Sequence, residues 1–268
     1  MKKIAILGCG WLGLPLAISF LKNGFEVNGA TTTHSKLSEL SHLGIHPFLI
    51  SIENDSIEGD IEVFLKNVSV LIITIPPKLR TETNENFLKK MAILVPFIEK
   101  SGIKKVIFVS STSVFEDVNQ VVYSAEFANP NTNSGIQLLE CEKLLQENSN
   151  FDTTIVRFGG LIGKDRHPIY SLSGKKGVKN PNAAINLIHL SDCIAVLQRV
   201  IALQYWRKTL HAVAPFDATK ADFYTKKALK MGLNPPIFDF LTPSFGKKVL
   251  PFPQEFFDDF EFEYPNLE

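Results

Sequence analysis

The chain has 268 residues, of which 45% are hydrophobic and 21% charged, enough for one large folded α/β domain with a small C-terminal lobe. Lys plus Arg and Asp plus Glu both number 28, so no net field draws the protein to nucleic acid or to an anionic membrane. No apolar run approaches the ~20 residues that span a bilayer, and the N-terminus enters an apolar strand with no room for a signal peptide, so a cytoplasmic location is expected.

The first predicted element is a strand at 4–7. It ends abruptly in Gly8-x-Gly10-x-x-Gly13, and an amphipathic helix over 13–22 follows at once. Strand, glycine turn and helix come in the order that a dinucleotide-binding unit needs. Gly8 permits the tight turn, Gly10 lets a pyrophosphate approach the backbone, and Gly13 lets the helix pack close to the strand. The helix N-terminus then offers N–H groups and partial positive charge to the phosphates. Trp11 and Leu12 complete this turn and are expected beside the cofactor.

Further strands are predicted at 26–30, 48–50, 70–75, 104–110 and 153–158, with helices near 35–43, 84–101 and 134–148 between them. The alternation, with continuous apolar strands, argues for a parallel sheet covered on both faces, a Rossmann-type doubly wound α/β fold. After residue 158 the rhythm breaks. Gly159, Gly160, Gly163 and the 174–177 stretch mark loops, and helices are expected near 191–203 and 219–231. Pro235, Pro236, Pro243, Pro251 and Pro253 make the tail irregular, and 256–262 reads as a covering segment or an edge strand. The division read from this pattern is a dinucleotide-binding core at 1–160 and a mixed segment at 161–268. The latter completes the core and forms a small substrate-side lobe. Three scattered cysteines, Cys9, Cys141 and Cys193, suggest neither a disulfide framework nor a zinc site, and no metal is expected.

Four segments carry a family resemblance: the glycine turn, Val106 to Phe115, Ile155 to Gly163, and Asn186 to Asp192. In this order the chain resembles the extended short-chain dehydrogenase/reductases, the NAD-dependent epimerase/dehydratase proteins, in an atypical branch with GxGxxG in place of the commoner TGxxGxxG. The resemblance spans nearly the whole chain. It implies an NAD(P) cofactor and a small polar or sugar-like substrate. It also implies a catalytic Ser or Thr at Ser111, with Ser110 beside the cofactor. Oxidoreductase, epimerase or dehydratase chemistry is the activity it suggests.

The chain departs from the family where the chemistry is concentrated. The family's Tyr and Lys lie four residues apart on one helix face, the Tyr as acid/base and the Lys lowering its pKa and holding the nicotinamide ribose. Aligned on Glu142, Ser134 stands in the Tyr position and Leu138 in the Lys position. Neither does that work. Another acid, Tyr123, Tyr170, His189 or His167, could take the Tyr role, and Tyr123 is the candidate chosen alongside Ser111. Two readings stay open: an NAD(P)-dependent enzyme, or a dinucleotide-binding sensor or assembly partner without turnover.

The stretch after the second strand, Thr31-Thr32-Thr33-His34-Ser35-Lys36, has no Asp or Glu to hold an adenosine ribose. Thr31, Thr32 and His34 are expected at the cofactor, with NADP preferred and NAD the alternative. Ser35 and Lys36 also read as a helix cap and a solvated charge. Pro76 ends the strand that should flank the cofactor. Arg166 and His189 are the expected substrate contacts; Arg166 also reads as an exposed loop arginine, and His189 with Asp192 reads first as holding the loop before their helix. A small-molecule substrate is the expected partner, and a homodimer is left open.

Overall fold

The computed structural model describes residues 2–77 and 86–267, apart from the Glu126 side chain. A seven-stranded parallel sheet is built from β1 (Lys3–Leu7), β2 (Glu26–Thr31), β3 (His46–Leu49), β4 (Val70–Ile73), β5 (Lys105–Ser111), β6 (Asp152–Phe158) and β7 (Thr209–Ala212). Its order is β3-β2-β1-β4-β5-β6-β7. The chain runs outward from β1 to β3, then returns to the other side of β1 for β4. In register, Leu7 lies opposite Ala30 on one side and Ile73 on the other. This reversal opens the sheet at the carboxyl ends of β1 and β4, where open α/β sheets bind ligands.

The strands read as they do because both faces are covered. All four residues of β4 are buried, as are the last four of β1. Helix α1 (Gly13–Lys22) buries Gly13, Leu16, Ala17 and Phe20, one stripe at helical spacing. Helices α2 (Lys36–His42), α3 (Ile61–Leu65), α4 (Phe87–Ser101) and α5 (Asn133–Gln146) follow. Side-chain caps fix two starts: Asn86 accepts from the Lys89 N–H at 2.9 Å, and Thr132 from the Gly135 N–H at 3.1 Å. The first residues of the helix expected at 84–101 lie outside the described residues.

The remaining helices are α6 (Ile169–Leu172), α7 (Leu190–Ala202), α8 (Lys220–Lys230) and α9 (Gln254–Phe257). Two elements were not expected from the sequence pattern, and the tail takes one of its two expected forms. β7 joins the sheet, although Thr-Leu-His-Ala is too short and mixed to signal a strand. Gly160–Ile162, expected as loop, forms a short strand parallel to Leu187–His189. The tail is a covering segment with one helical turn, and no strand forms over 256–262.

The chain divides into two compact units. The first comprises residues 1–111, 132–156 and 194–209, and the second residues 112–131, 157–193 and 210–268. The core of the second unit gathers Ile162, Ile169, Ile185, Leu187, Phe223, Tyr224 and Leu267. In the same unit Gln120–Val122 pairs in parallel with Lys247–Val249. No helix among the described residues is long and apolar enough to cross a membrane.

Candidate dinucleotide site

The glycine turn follows β1 directly. Gly8 has φ +111°, a conformation that a residue with a Cβ rarely adopts. A Cβ on Gly13 would sit 2.2 Å from the Gly8 carbonyl oxygen, so only glycine lets α1 start this close to the strand. Gly10 differs from both: a Cβ there would meet nothing within 4 Å among the described residues. Among the described residues, the space over Gly10 is open. Backbone bonds hold the turn, with the Cys9 N–H donating to Ala30 O at 2.7 Å and the Gly10 N–H to Gly8 O at 2.7 Å. Thr74, just past β4, donates its hydroxyl to Gly8 O at 2.8 Å and ties the turn to the neighbouring strand.

Helix α1 starts without a side-chain cap and has no acidic residue in its first turn. Its N-terminal dipole is left for an anion. Leu12 is buried, so its backbone is the part able to face a phosphate, whereas Gly10 is exposed and Trp11 half-buried. Cys9 is buried, and desolvation pushes its thiol up to about 12, with the Lys36 charge working against that rise. The thiol is therefore protonated and inert, and the Lys36 charge acts near the turn.

At the end of β2, Thr31 is buried and its hydroxyl accepts from the Thr33 N–H at 3.1 Å. Thr32, Thr33, His34 and Ser35 are exposed, and no carboxylate occurs in this stretch. Pro76 is exposed two residues beyond Thr74, and β4 ends at Ile73, earlier than the expected 75.

The strand end that carries the candidate serines splits their roles. Ser110 is buried and donates to the Glu142 carboxylate of α5 at 2.5 Å. Its hydroxyl is thus engaged inside the unit, and its backbone is what could reach a cofactor. Ser111, the next residue, is half-buried. On α5, Leu138 is only 3% exposed and belongs to the apolar core. Ser134 is half-buried in the first turn of that helix. The position aligned with the family's Lys thus holds a packed aliphatic side chain.

The other expected site residues lie in the second unit. Tyr123 is 59% exposed, with its ring edge-on to Phe127 at 5.0 Å. Arg166 is exposed in a tight turn closed by bonds between Gly163 and Arg166. His189 stacks on Tyr264 with ring centroids 3.7 Å apart, and its Nδ1 accepts from the Ser191 N–H at 3.3 Å. Beside it, Asp192 is buried and accepts from the Glu263 and Tyr264 N–H groups at 2.7 and 3.3 Å. Burial lowers the His189 pKa and raises that of Asp192. Together these two residues fasten the C-terminal segment.

Sequence reasoning did not single out Thr74, or Glu142 as a partner of Ser110. A hydroxyl closing the apolar run at 70–73 was the available signal for Thr74. Glu142 sits among buried positions of α5, and a carboxylate there needs a donor. No group of three or more His, Cys, Asp or Glu among the described residues could hold a metal ion.

A sequence model of the family described as NAD(P)H-binding matches residues 8–196. Protein YeeZ of Escherichia coli strain K12 is 33% identical over 239 residues, which cover 89% of this chain and 87% of YeeZ. Among solved structures, a short-chain dehydrogenase/reductase superfamily protein from Agrobacterium tumefaciens with bound NAD is 16% identical. It superposes with a TM-score of 0.77, covering 98% of this chain and 92% of that one. The UDP-glucose 4-epimerase of Thermotoga maritima, solved with UDP-glucose, is 13% identical with a TM-score of 0.76, covering 95% and 91%. At this identity the likenesses show a shared fold. The chain belongs to the NAD(P)H-binding family, and its fold is similar to that of short-chain dehydrogenase/reductase and epimerase structures.

Proposed function

We propose that the protein is an oxidoreductase of the epimerase/dehydratase type that uses NADP in preference to NAD on a small polar or sugar-like substrate. The carrying observation is the anion cradle at Gly10. It has open space above the glycine, an uncapped α1 terminus, and an exposed Thr32–Ser35 stretch that lacks a carboxylate but is followed by Lys36. A dinucleotide fits this cradle: Gly8, Gly10, Trp11, Leu12 and Gly13 would hold the pyrophosphate. Thr31, Thr32 and His34 would receive the 2′-phosphate, with Pro76 and the Ser110 backbone flanking the cofactor. A carboxylate after β2 would repel that phosphate; hydroxyls and cations would not. When bound, the nicotinamide supplies or accepts a hydride. The A. tumefaciens relative with NAD and the T. maritima relative with UDP-glucose support the cofactor class and the sugar-like substrate.

In this proposal Ser111 hydrogen-bonds a substrate oxygen. Tyr123 is the acid, and Arg166 and His189 are the substrate contacts. Ser134 takes no part, because a serine hydroxyl is too weak an acid to replace a tuned tyrosine. A second reading has a specific observation behind it: Leu138, packed in the core, provides no ammonium for the nicotinamide ribose. On that reading the protein binds the dinucleotide without turning over and acts as a sensor or assembly partner. Turnover followed by nicotinamide absorbance over carbonyl and sugar substrates separates the two. Oxidation or reduction of the cofactor supports the enzyme. Tight binding with no turnover on any substrate supports the sensor.

A further inference from the structure

The second unit carries an apolar loop that the dinucleotide reading does not use. Residues 236–246 read Pro-Ile-Phe-Asp-Phe-Leu-Thr-Pro-Ser-Phe-Gly. Leu241 is 97% exposed, Phe240 65%, Ile237 56% and Phe245 54%. Single exposed apolar residues are ordinary, but large ones gathered in one loop mark an interaction surface.

The loop is held in this form. Its base lies along residues 175–180: the Ile237 N–H donates to Lys175 O at 2.8 Å, the Val178 N–H to Ile237 O at 3.0 Å, and the Asp239 N–H to Val178 O at 3.0 Å. Asn180 Oδ1 accepts from the Phe245 N–H at 3.1 Å and closes the far end. Inside the loop, Asp239 accepts from the Leu241 N–H at 2.9 Å and from the Thr242 hydroxyl at 3.0 Å. The backbone is thus fixed while its apolar side chains stay in solvent, so little order remains to be gained on docking.

The charge around its base is positive. Segments 174–180 and 236–246 contain Lys175, Lys176 and Lys179 against Asp239 alone. The three lysines are exposed, and the Asp239 carboxylate is engaged inside the loop. The Lys220 ammonium bonds to Lys179 O at 3.0 Å and adds a further cation. Lys247 and Lys248 pair with Asp117 and Asp217, both at 2.9 Å, and cancel. The whole-chain balance of 28 against 28 hides this local excess, because exposed charges act only over about one Debye length, ~10 Å.

We propose that this loop docks on an anionic lipid surface, with Phe240, Leu241 and Phe245 entering the boundary between headgroups and acyl chains and Lys175, Lys176 and Lys179 meeting the headgroups. Charge complementarity selects this occupant: an apolar tip backed by cations matches both layers of such a surface. A second copy docked loop to loop would bring the same lysines together, since a two-fold contact matches a patch with itself. The chain would lie on the bilayer rather than cross it, in keeping with the absence of a spanning helix among the described residues. The proposal does not rest on the cofactor reading, because every residue it uses lies in the second unit.

Co-sedimentation of the full chain with vesicles tests it, using phosphatidylcholine alone and phosphatidylcholine with phosphatidylserine at roughly 2:1. The mixed vesicles should bind the protein saturably and the neutral ones far more weakly. Leu241→Asp should weaken binding to the mixed vesicles about tenfold or more. Its melting temperature should match the wild type's, because this side chain is almost wholly in solvent. Lys175→Gln combined with Lys176→Gln should weaken binding roughly twentyfold, about fivefold for each lysine at about 1 kcal/mol. Leu241→Trp should add a blue-shifted emission on the mixed vesicles. No saturable binding to the mixed vesicles would overturn the proposal. So would binding left unchanged by the vesicle charge or by Leu241→Asp. A dimer in light scattering that Leu241→Asp turns into a monomer would also overturn it, by showing that a second copy covers the loop.

Discussion

Replacing Gly10 with valine places a branched side chain in the open space above the glycine turn. The folded protein should tolerate it, because a Cβ there meets no described atom within 4 Å and Gly10 does not need a positive φ. The bound dinucleotide should not tolerate it, because its pyrophosphate must approach this backbone. Losing one charge-assisted hydrogen bond costs about 1.5–3 kcal/mol, or roughly tenfold to a hundredfold in Kd. Isothermal titration with NADP and NAD reads the loss, and circular dichroism melting checks the fold. Gly13→Ala is the internal contrast. Its Cβ would lie 2.2 Å from the Gly8 carbonyl, a backbone atom, so it should lower the melting temperature before any ligand is added. A folded Gly10→Val protein that binds both cofactors with wild-type affinity would refute the placement of the pyrophosphate.

Thr31→Asp should reverse the preference from NADP toward NAD: aspartate still accepts the Thr33 N–H that Thr31 now binds, but it sets a charge against the 2′-phosphate. Equal NADP and NAD affinities in the wild type would end that argument. Ser110→Ala leaves the buried Glu142 carboxylate short of a donor and should cost about 1–3 kcal/mol in urea unfolding; an unchanged midpoint would show that the 2.5 Å bond contributes nothing net. On any substrate found, Ser111→Ala should lower turnover and Ser134→Ala should not; the opposite pattern would misplace the active site. Buried His211 has its pKa pushed down to about 3 by desolvation and then by Arg157, so it is neutral when folded. The unfolded chain takes a proton below about pH 6.5. The stability from this group is therefore complete above pH 6.5 and lost as pH falls toward 3, at up to about 1.4 kcal/mol per unit. Urea midpoints from pH 7 to 4 should fall, more steeply in the wild type than in His211→Leu, and equal slopes would contradict this.

The fold was legible because its signals are local. An apolar run closed by three spaced glycines specifies strand, turn and helix without reference to the rest of the chain. Helices α1, α4 and α5 also lie close to their expected spans. β7 was not legible: its four residues contain a histidine and no long apolar run, and it becomes a strand only because β6 offers it an edge. The candidate site divides in the same way. The open space at Gly10 follows from the motif. The engagement of Ser110 by Glu142, 32 residues on, and the capture of the C-terminal backbone by Asp192 are long-range pairings with no periodicity to announce them. Ser134 and Leu138 in place of a Tyr–Lys pair is an expectation that the family resemblance carries, whereas the packing of Leu138 into the core required the structure.

We propose that this chain holds NADP with its pyrophosphate on the glycine turn and its 2′-phosphate among Thr31, Thr32 and His34. A crystal structure of the protein with NADP tests it most directly. The pyrophosphate should lie over Gly10 against the N–H groups that open α1, and the 2′-phosphate at the exposed loop after β2. A cofactor bound away from the turn, or a 2′-phosphate pointing to solvent with no contact from that loop, would contradict it.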